Sequence, residues 1–189
     1  MKLNYGKDAG CLLFLGAAQC LLMMVIAEAV YPGYSVSGNW ISDLGVGDTS
    51  LLFNSSVFLL GVMLMAAAYL INLTSKSRFF SVVLAAAGIG AMGVGLFPET
   101  AGAIHTVFSL IIFLFGGLSA VLSYRLQKPP FSYFSVLLGA ITLLALVLTG
   151  SGTYLGLGKG GMERMVAYPA LLWEVGFGGY IIGNPEDRS

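Results

Sequence analysis

Charge is what this chain has least of. Nine basic and nine acidic residues make up only 10% of its 189 positions, and there is a single histidine. A soluble globular domain carries roughly a quarter charged residues, so a soluble fold is excluded. The formal net charge is zero, which leaves no electrostatic case for nucleic acid as a partner. Cysteine is nearly absent. Cys11 and Cys20 lie nine residues apart in one apolar run, about 13 Å apart along a helix, too far for a disulfide. With one histidine the chain has no His-x-x-x-His or Glu-x-x-His motif, and it has no nucleophile-elbow sequence either.

Hydrophobic residues are abundant, at 57%, and the mean hydropathy is +0.88. A spanning helix needs roughly 20 mostly apolar residues. Six such runs occur, at 9–30, 51–73, 79–97, 104–122, 133–157 and 167–183. They predict an all-α, polytopic bundle of six transmembrane helices within one membrane domain, 1–189. Lys2 and Lys7 before the first run, with Ala27-Glu28-Ala29 at its end, have the look of a signal peptide. The run is long enough to span, so it is read as the first helix. Pro32, Pro98, Pro129, Pro130 and Pro169 fall at or beside the expected ends, where a ring that stops a helix belongs.

Lysine and arginine set the expected orientation. With a cytoplasmic N-terminus, Lys2, Lys7, Lys76, Arg78, Arg125, Lys128 and Arg188 lie inside, and only Lys159 and Arg164 outside. The expectation is an N-in, C-in multi-pass protein of the plasma membrane. Tyr31, Tyr34, Trp40, Tyr154 and Tyr168 then form an outer aromatic belt. Gly152-x-x-x-Gly156, Gly179-x-x-x-Gly183 and the pair Ala91 and Gly95 have the spacing of close helix–helix contacts. No internal repeat is evident.

The scarce polar residues gather at the expected outer face. The longest connection, 31–50, has no lysine or arginine, and Trp40, Ile41 and Leu44 predict a short interfacial helix over about 38–45 that sets Asn39 and Asp43 on one face. Thr100 is a candidate cap for the fourth helix, with Glu99 near its positive end and His105 in its first turn. The connection 158–166 carries Lys159, Glu163 and Arg164, and a guanidinium there can hold a phosphate or carboxylate through two parallel bonds. Tyr168 and Trp173 follow. Glu28 lies about one turn inside the first helix. Glu174 lies near the middle of the sixth, where an ionised carboxylate is costly. It reads either as the floor of a polar pocket or a proton or cation site, or as a neutral hydrogen-bonded acid that sets helix register.

Three segments taken together carry a resemblance: Asn39-x-x-Ser42-Asp43-Leu44-Gly45, Phe97-Pro98 with Gly102-x-x-His105, and Gly161-x-Glu163-Arg164 with Tyr168-Pro169 and Trp173. The chain resembles a domain-of-unknown-function family of small bacterial and archaeal membrane proteins, itself distantly similar to the Frag/DRAM/Sfk group of six-helix membrane proteins. The resemblance implies a six-helix bundle with its polar residues on one side, at Asn39, Ser42, Asp43, His105, Glu163 and Arg164. It implies no reaction, and Glu174 is outside its pattern.

Three functions follow from these residues. In the first, an external polar pocket of Asn39, Asp43, His105, Glu163, Arg164, Tyr168 and Trp173 binds a lipid headgroup, a small anion or a partner membrane protein, with no cofactor. In the second, a membrane-embedded hydrolase or transferase uses a metal on Asp43, Glu99 and His105 or a Ser42–His105–Asp triad. In the third, a transporter uses Glu28 and Glu174 as intramembrane proton or cation sites, with the glycine-rich third run in its favour.

Overall fold

The computed structural model describes residues 4–74 and 77–183, so Lys2, Lys76 and Arg188 of the charge count lie outside the described residues. Six α-helices, α1 (Tyr5–Val30), α2 (Ser50–Leu73), α3 (Arg78–Leu96), α4 (Ala103–Leu122), α5 (Phe131–Gly150) and α6 (Gly158–Gly183), account for most of them. All six are long and apolar enough to cross a membrane, and no strand occurs among the described residues. Each helix packs against its neighbours in sequence, and α6 returns to α1, closing a ring. Side-chain caps start two helices: Asn4 accepts from the Lys7 amide at 3.1 Å and Ser77 from the Phe80 amide at 3.3 Å.

Without a hydrophobic drive between helices in lipid, backbone proximity holds such a ring together. Three of the close crossings are glycine to glycine. A Cβ placed on Gly10 in α1 would sit 2.8 Å from the Gly178 carbonyl of α6, and one on Gly61 in α2 would sit 2.6 Å from the Gly88 carbonyl of α3. At the α4–α5 crossing, a Cβ on Gly139 would sit 2.7 Å from the Gly117 carbonyl. Two of the three expected small-residue motifs do not act this way. Gly152 and Gly156 are loop residues with φ of +74° and +78°, and no atom lies within 4 Å of a Cβ at Gly179 or Gly183.

The expected boundaries fail at the α5–α6 connection, for a legible reason. The apolar Tyr154, Leu155 and Leu157 suggest that the fifth helix runs to 157, but it stops at Gly150. The Thr153 amide reaches back to the Leu148 carbonyl at 2.9 Å and the Gly152 amide to the Thr149 carbonyl at 3.0 Å, with Gly152 left-handed. That is a Schellman stop built on Ser151-Gly152. The sixth helix starts at Gly158 instead of 167. Gly-Lys-Gly-Gly has poor helix propensity, and tertiary contact overrides it. Pro169 is therefore inside α6, where it removes the hydrogen bond to the Met165 carbonyl. At α4 the residue before the helix is Gly102 (φ +65°), and Thr100 lies in a 3-10 turn over Glu99–Ala101. The helix expected over 38–45 is replaced by 3-10 turns at Ser42–Gly45 and Gly47–Thr49.

The glycines that open α6 exist for the 31–49 connection, which lies across them. The Gly160 amide donates to the Ser37 carbonyl at 3.1 Å, and a Cβ on Gly160 would overlap the Asn39 carbonyl and come to 2.5 Å from that of Val36. Gly160→Ala is expected to lift this connection off the helix. It should lower thermal stability and cause rapid proteolysis confined to 31–49, as limited digestion with peptide mapping would reveal.

Candidate functional site

The 31–49 connection is organised by its own polar side chains. The Asn39 amide group and the Trp40 backbone N–H both donate to Asp43 Oδ2, each at 2.9 Å, and the Ser35 N–H donates to Asn39 Oδ1 at 3.0 Å. Asn39 and Asp43 do face each other, and their bonds are spent on shaping the turn that aims Ile41 and Ser42 inward. Trp40 sits under the Lys159 ammonium, 5.5 Å from the ring centroid, and meets Tyr154 edge to face.

Beneath this turn, carboxylates converge from three elements. Glu163 of α6 accepts the Ile41 backbone N–H. Glu99 accepts from the Ser42 hydroxyl at 3.3 Å and lies in hydrogen-bonding contact with Asp43. Burial, and then the neighbouring Asp43 carboxylate, raise the pKa of Glu99 above its ordinary value. A carboxyl with a raised folded-state pKa binds its proton more tightly when folded. Its contribution to stability is present below the unfolded-state value of 4.5 and is lost as pH rises through the folded-state value. Asp43→Asn is expected to flatten this loss, giving a melting temperature that falls less between acid and neutral pH than in the wild type.

His105, in the first turn of α4, is 7% exposed and places Nδ1 2.8 Å from the Phe97 carbonyl. A carbonyl only accepts, so Nδ1 carries the proton and Nε2 is the free ring nitrogen. His105 and Glu163 both line two spaces. One is a central cavity of about 60 Å³ among α1, α2, α3, α4 and α6. The other is a groove of about 780 Å³ between the ends of α4 and α5. Ser42, Glu99, His105 and Glu163 form the polar end of the groove, and Leu110, Phe113, Leu114, Leu146 and Val147 its apolar walls. The helices splay here because their glycine crossing, Gly117 on Gly139, is further along. Leu110 and Val147, 52% and 68% exposed, leave the groove open along the side of the bundle.

Arg164, expected in the same pocket, is not in it. A helix turns about 100° per residue, so Arg164 points away from Glu163 toward α1. Its Nη1 donates to the Val36 and Gly160 carbonyls at 3.0 and 2.9 Å. Its Nη2 donates to Glu28 at 2.5 Å and to the Tyr34 hydroxyl at 2.7 Å. Only Nε lacks a partner, and it is buried. A guanidinium so occupied has no fork left for a phosphate. Glu28 is its counter-ion and thus not a free transport carboxylate. Tyr168 donates weakly to Glu28 at 3.4 Å. Burial pushes the Tyr34 hydroxyl up to about 12, which keeps it a donor to the Trp40 carbonyl at 3.0 Å.

Trp173 is elsewhere too. With α6 beginning at Gly158, it is four turns in, stacked on Phe177 and donating to Ser123 at 2.9 Å in a network with Gln127 and Ser135. Asp43, Glu99 and His105 do not assemble a metal site: among the described residues no three His, Cys, Asp or Glu side chains are grouped to hold an ion. Glu174 is 4% exposed, lines the central cavity and leaves Oε2 without a partner. Sequence reasoning missed Tyr34, Gly160 and the groove walls. In helices apolar on every side, no periodicity singles out Leu110 or Val147.

No curated protein and no solved structure matches the chain. One family model, described as a protein of unknown function, matches residues 14–179 and so takes in all six helices and the polar end of the groove. The chain is a multi-pass membrane protein that belongs to the DUF998 family of proteins of unknown function.

Proposed function

We propose that this protein binds a membrane amphiphile in the groove between α4 and α5. The observation that carries the reading is the groove itself. It has room for a sizeable ligand, since pockets for small molecules run roughly 300–1,000 Å³. It is open along the side of the bundle, apolar over most of its length, and polar at one end only. A lipid has the same division. By the lysine and arginine bias, the polar end is external, and the reading takes the membrane to be the plasma membrane.

The headgroup follows from the atoms that face it. Glu99 and Glu163 offer acceptor oxygens, and His105 offers Nε2. Arg164 has no free fork, and Lys159 rests on Trp40. The end of the groove is therefore suited to hydroxyl or amine donors and unsuited to a bare anion, which replaces the anionic ligand expected from Arg164. Membrane lipid is the partner.

The test is native mass spectrometry of the protein purified in mild detergent. A retained lipid with a hydroxyl- or amine-bearing headgroup is expected, displaced when the groove is filled by Leu110→Trp and Val147→Trp. Retention of the same lipid by the filled variant would refute the reading.

A second reading, a membrane-embedded hydrolase or transferase, has one observation in its favour. The bond from Nδ1 to Phe97 leaves His105 Nε2 as a base at the polar end of the groove, beside two carboxylates. Incubation with a total membrane lipid extract separates the two readings, because a binder leaves the lipid mass unchanged and an enzyme releases a cleaved or transferred product.

A further inference from the structure

Glu174 takes no part in the amphiphile groove, yet it is the most deeply placed acid among the described residues. It lies 16 positions after Gly158 in a helix that ends at Gly183. At a rise of about 1.5 Å per residue this is roughly 24 Å from the start of α6. It is 96% removed from solvent, and Oε2 has no hydrogen-bond partner. No described lysine, arginine or histidine pairs with it. A carboxylate left ionised in such a place would cost several kcal/mol.

The cavity explains why an acid can stand there. Glu163 and Glu174 are eleven residues apart, close to three full helical turns, and both line this space from the same face of α6. Its volume of about 60 Å³ is enough for water, which needs roughly 10–15 Å³ of such space. Ser42, His105, Ser109, Phe113 and Glu163 line both the cavity and the groove, so the two spaces meet at that end. Beyond Glu174 toward the end of α6 comes an aromatic cluster. Trp173, Phe177 and Phe80 are each at most 2% exposed and pack ring on ring. The titratable groups facing the cavity are Cys20 of α1, His105 of α4 and Glu163 of α6, and α2 and α3 contribute none.

We propose that Glu174 is a proton-binding site served from one side only, exchanging its proton with the His105–Glu163 end through water in the cavity and sealed from the opposite membrane face. The proton leaves and returns as hydronium or through the imidazole, and no counter-cation crosses. This is a dead-end proton store, distinct from a transport path.

Infrared difference spectroscopy of the protein in lipid nanodiscs tests it. The wild type is expected to show the carbonyl band of a protonated carboxylic acid at neutral pH, absent in Glu174→Gln, and that band should shift promptly when the buffer is changed to D2O. Gly116 lines the cavity, and its added Cβ would meet nothing closer than Ala170 at 3.9 Å. Gly116→Leu therefore narrows the space without replacing a titratable group and should slow the deuterium shift at least tenfold. Where Glu174→Gln does not fold, Glu174→Asp assigns the band, because it keeps the acid and moves its carbonyl frequency. A band unchanged by Glu174→Gln, or exchange equally fast in Gly116→Leu, would overturn the proposal.

Discussion

Arg164→Met should destabilise the protein by about 3–5 kcal/mol, the cost of leaving one member of a buried ion pair without its partner. Both side chains of the pair are largely buried, at 8% and 19% exposure, and the contact is 2.5 Å. The substitution also frees the Val36 and Gly160 carbonyls and the Tyr34 hydroxyl. Arg164→Lys should recover only part of the loss, since an ammonium cannot reach all four acceptors in the planar fork geometry. The double variant Glu28→Gln/Arg164→Met should be less damaged than the sum of its single changes, because the orphaned charge is gone. Denaturation in detergent micelles, followed by circular dichroism, gives the values for these variants and for Glu28→Gln alone. Additive losses would mean that Glu28 and Arg164 do not act as a pair.

Loss of the bound amphiphile is the second large effect. Leu110→Trp and Val147→Trp place indoles on the exposed apolar walls of the groove, so folding should be unaffected while lipid retention falls at least tenfold. At the polar end, His105→Phe removes the Nε2 contact and the Phe97 bond together. A hydrogen bond contributes about 0.5–1.5 kcal/mol, so Glu163→Gln should weaken headgroup binding roughly two- to tenfold. Arg164→Lys, outside the groove, should leave headgroup selectivity unchanged in whatever fraction remains folded.

Much of this architecture is visible in the residues themselves. The six apolar runs announce six helices because a membrane span demands length and hydrophobicity together. The family-matching Ser42, His105 and Glu163 do converge, and Asn39 does meet Asp43. Arg164 was misassigned because a one-residue step along a helix turns a side chain by about 100°, and sequence adjacency to Glu163 hides that. Trp173 was misplaced by the late start assigned to α6, which followed from reading Gly158-Lys-Gly-Gly as a loop by propensity. The Ser151-Gly152 stop was there to be read, although the apolar residues after it argued for continuation. The groove walls were not legible, because apolarity in a membrane helix carries no information about which face meets protein, lipid or ligand.

The most direct measurement is the lipid content of the purified protein by native mass spectrometry, wild type beside Leu110→Trp/Val147→Trp. The groove account predicts a discrete lipid adduct on the wild type, its headgroup carrying hydroxyl or amine donors, and little or none on the filled variant. An adduct retained equally by both proteins, or one whose headgroup is a bare phosphate lost on Arg164→Lys, would contradict it.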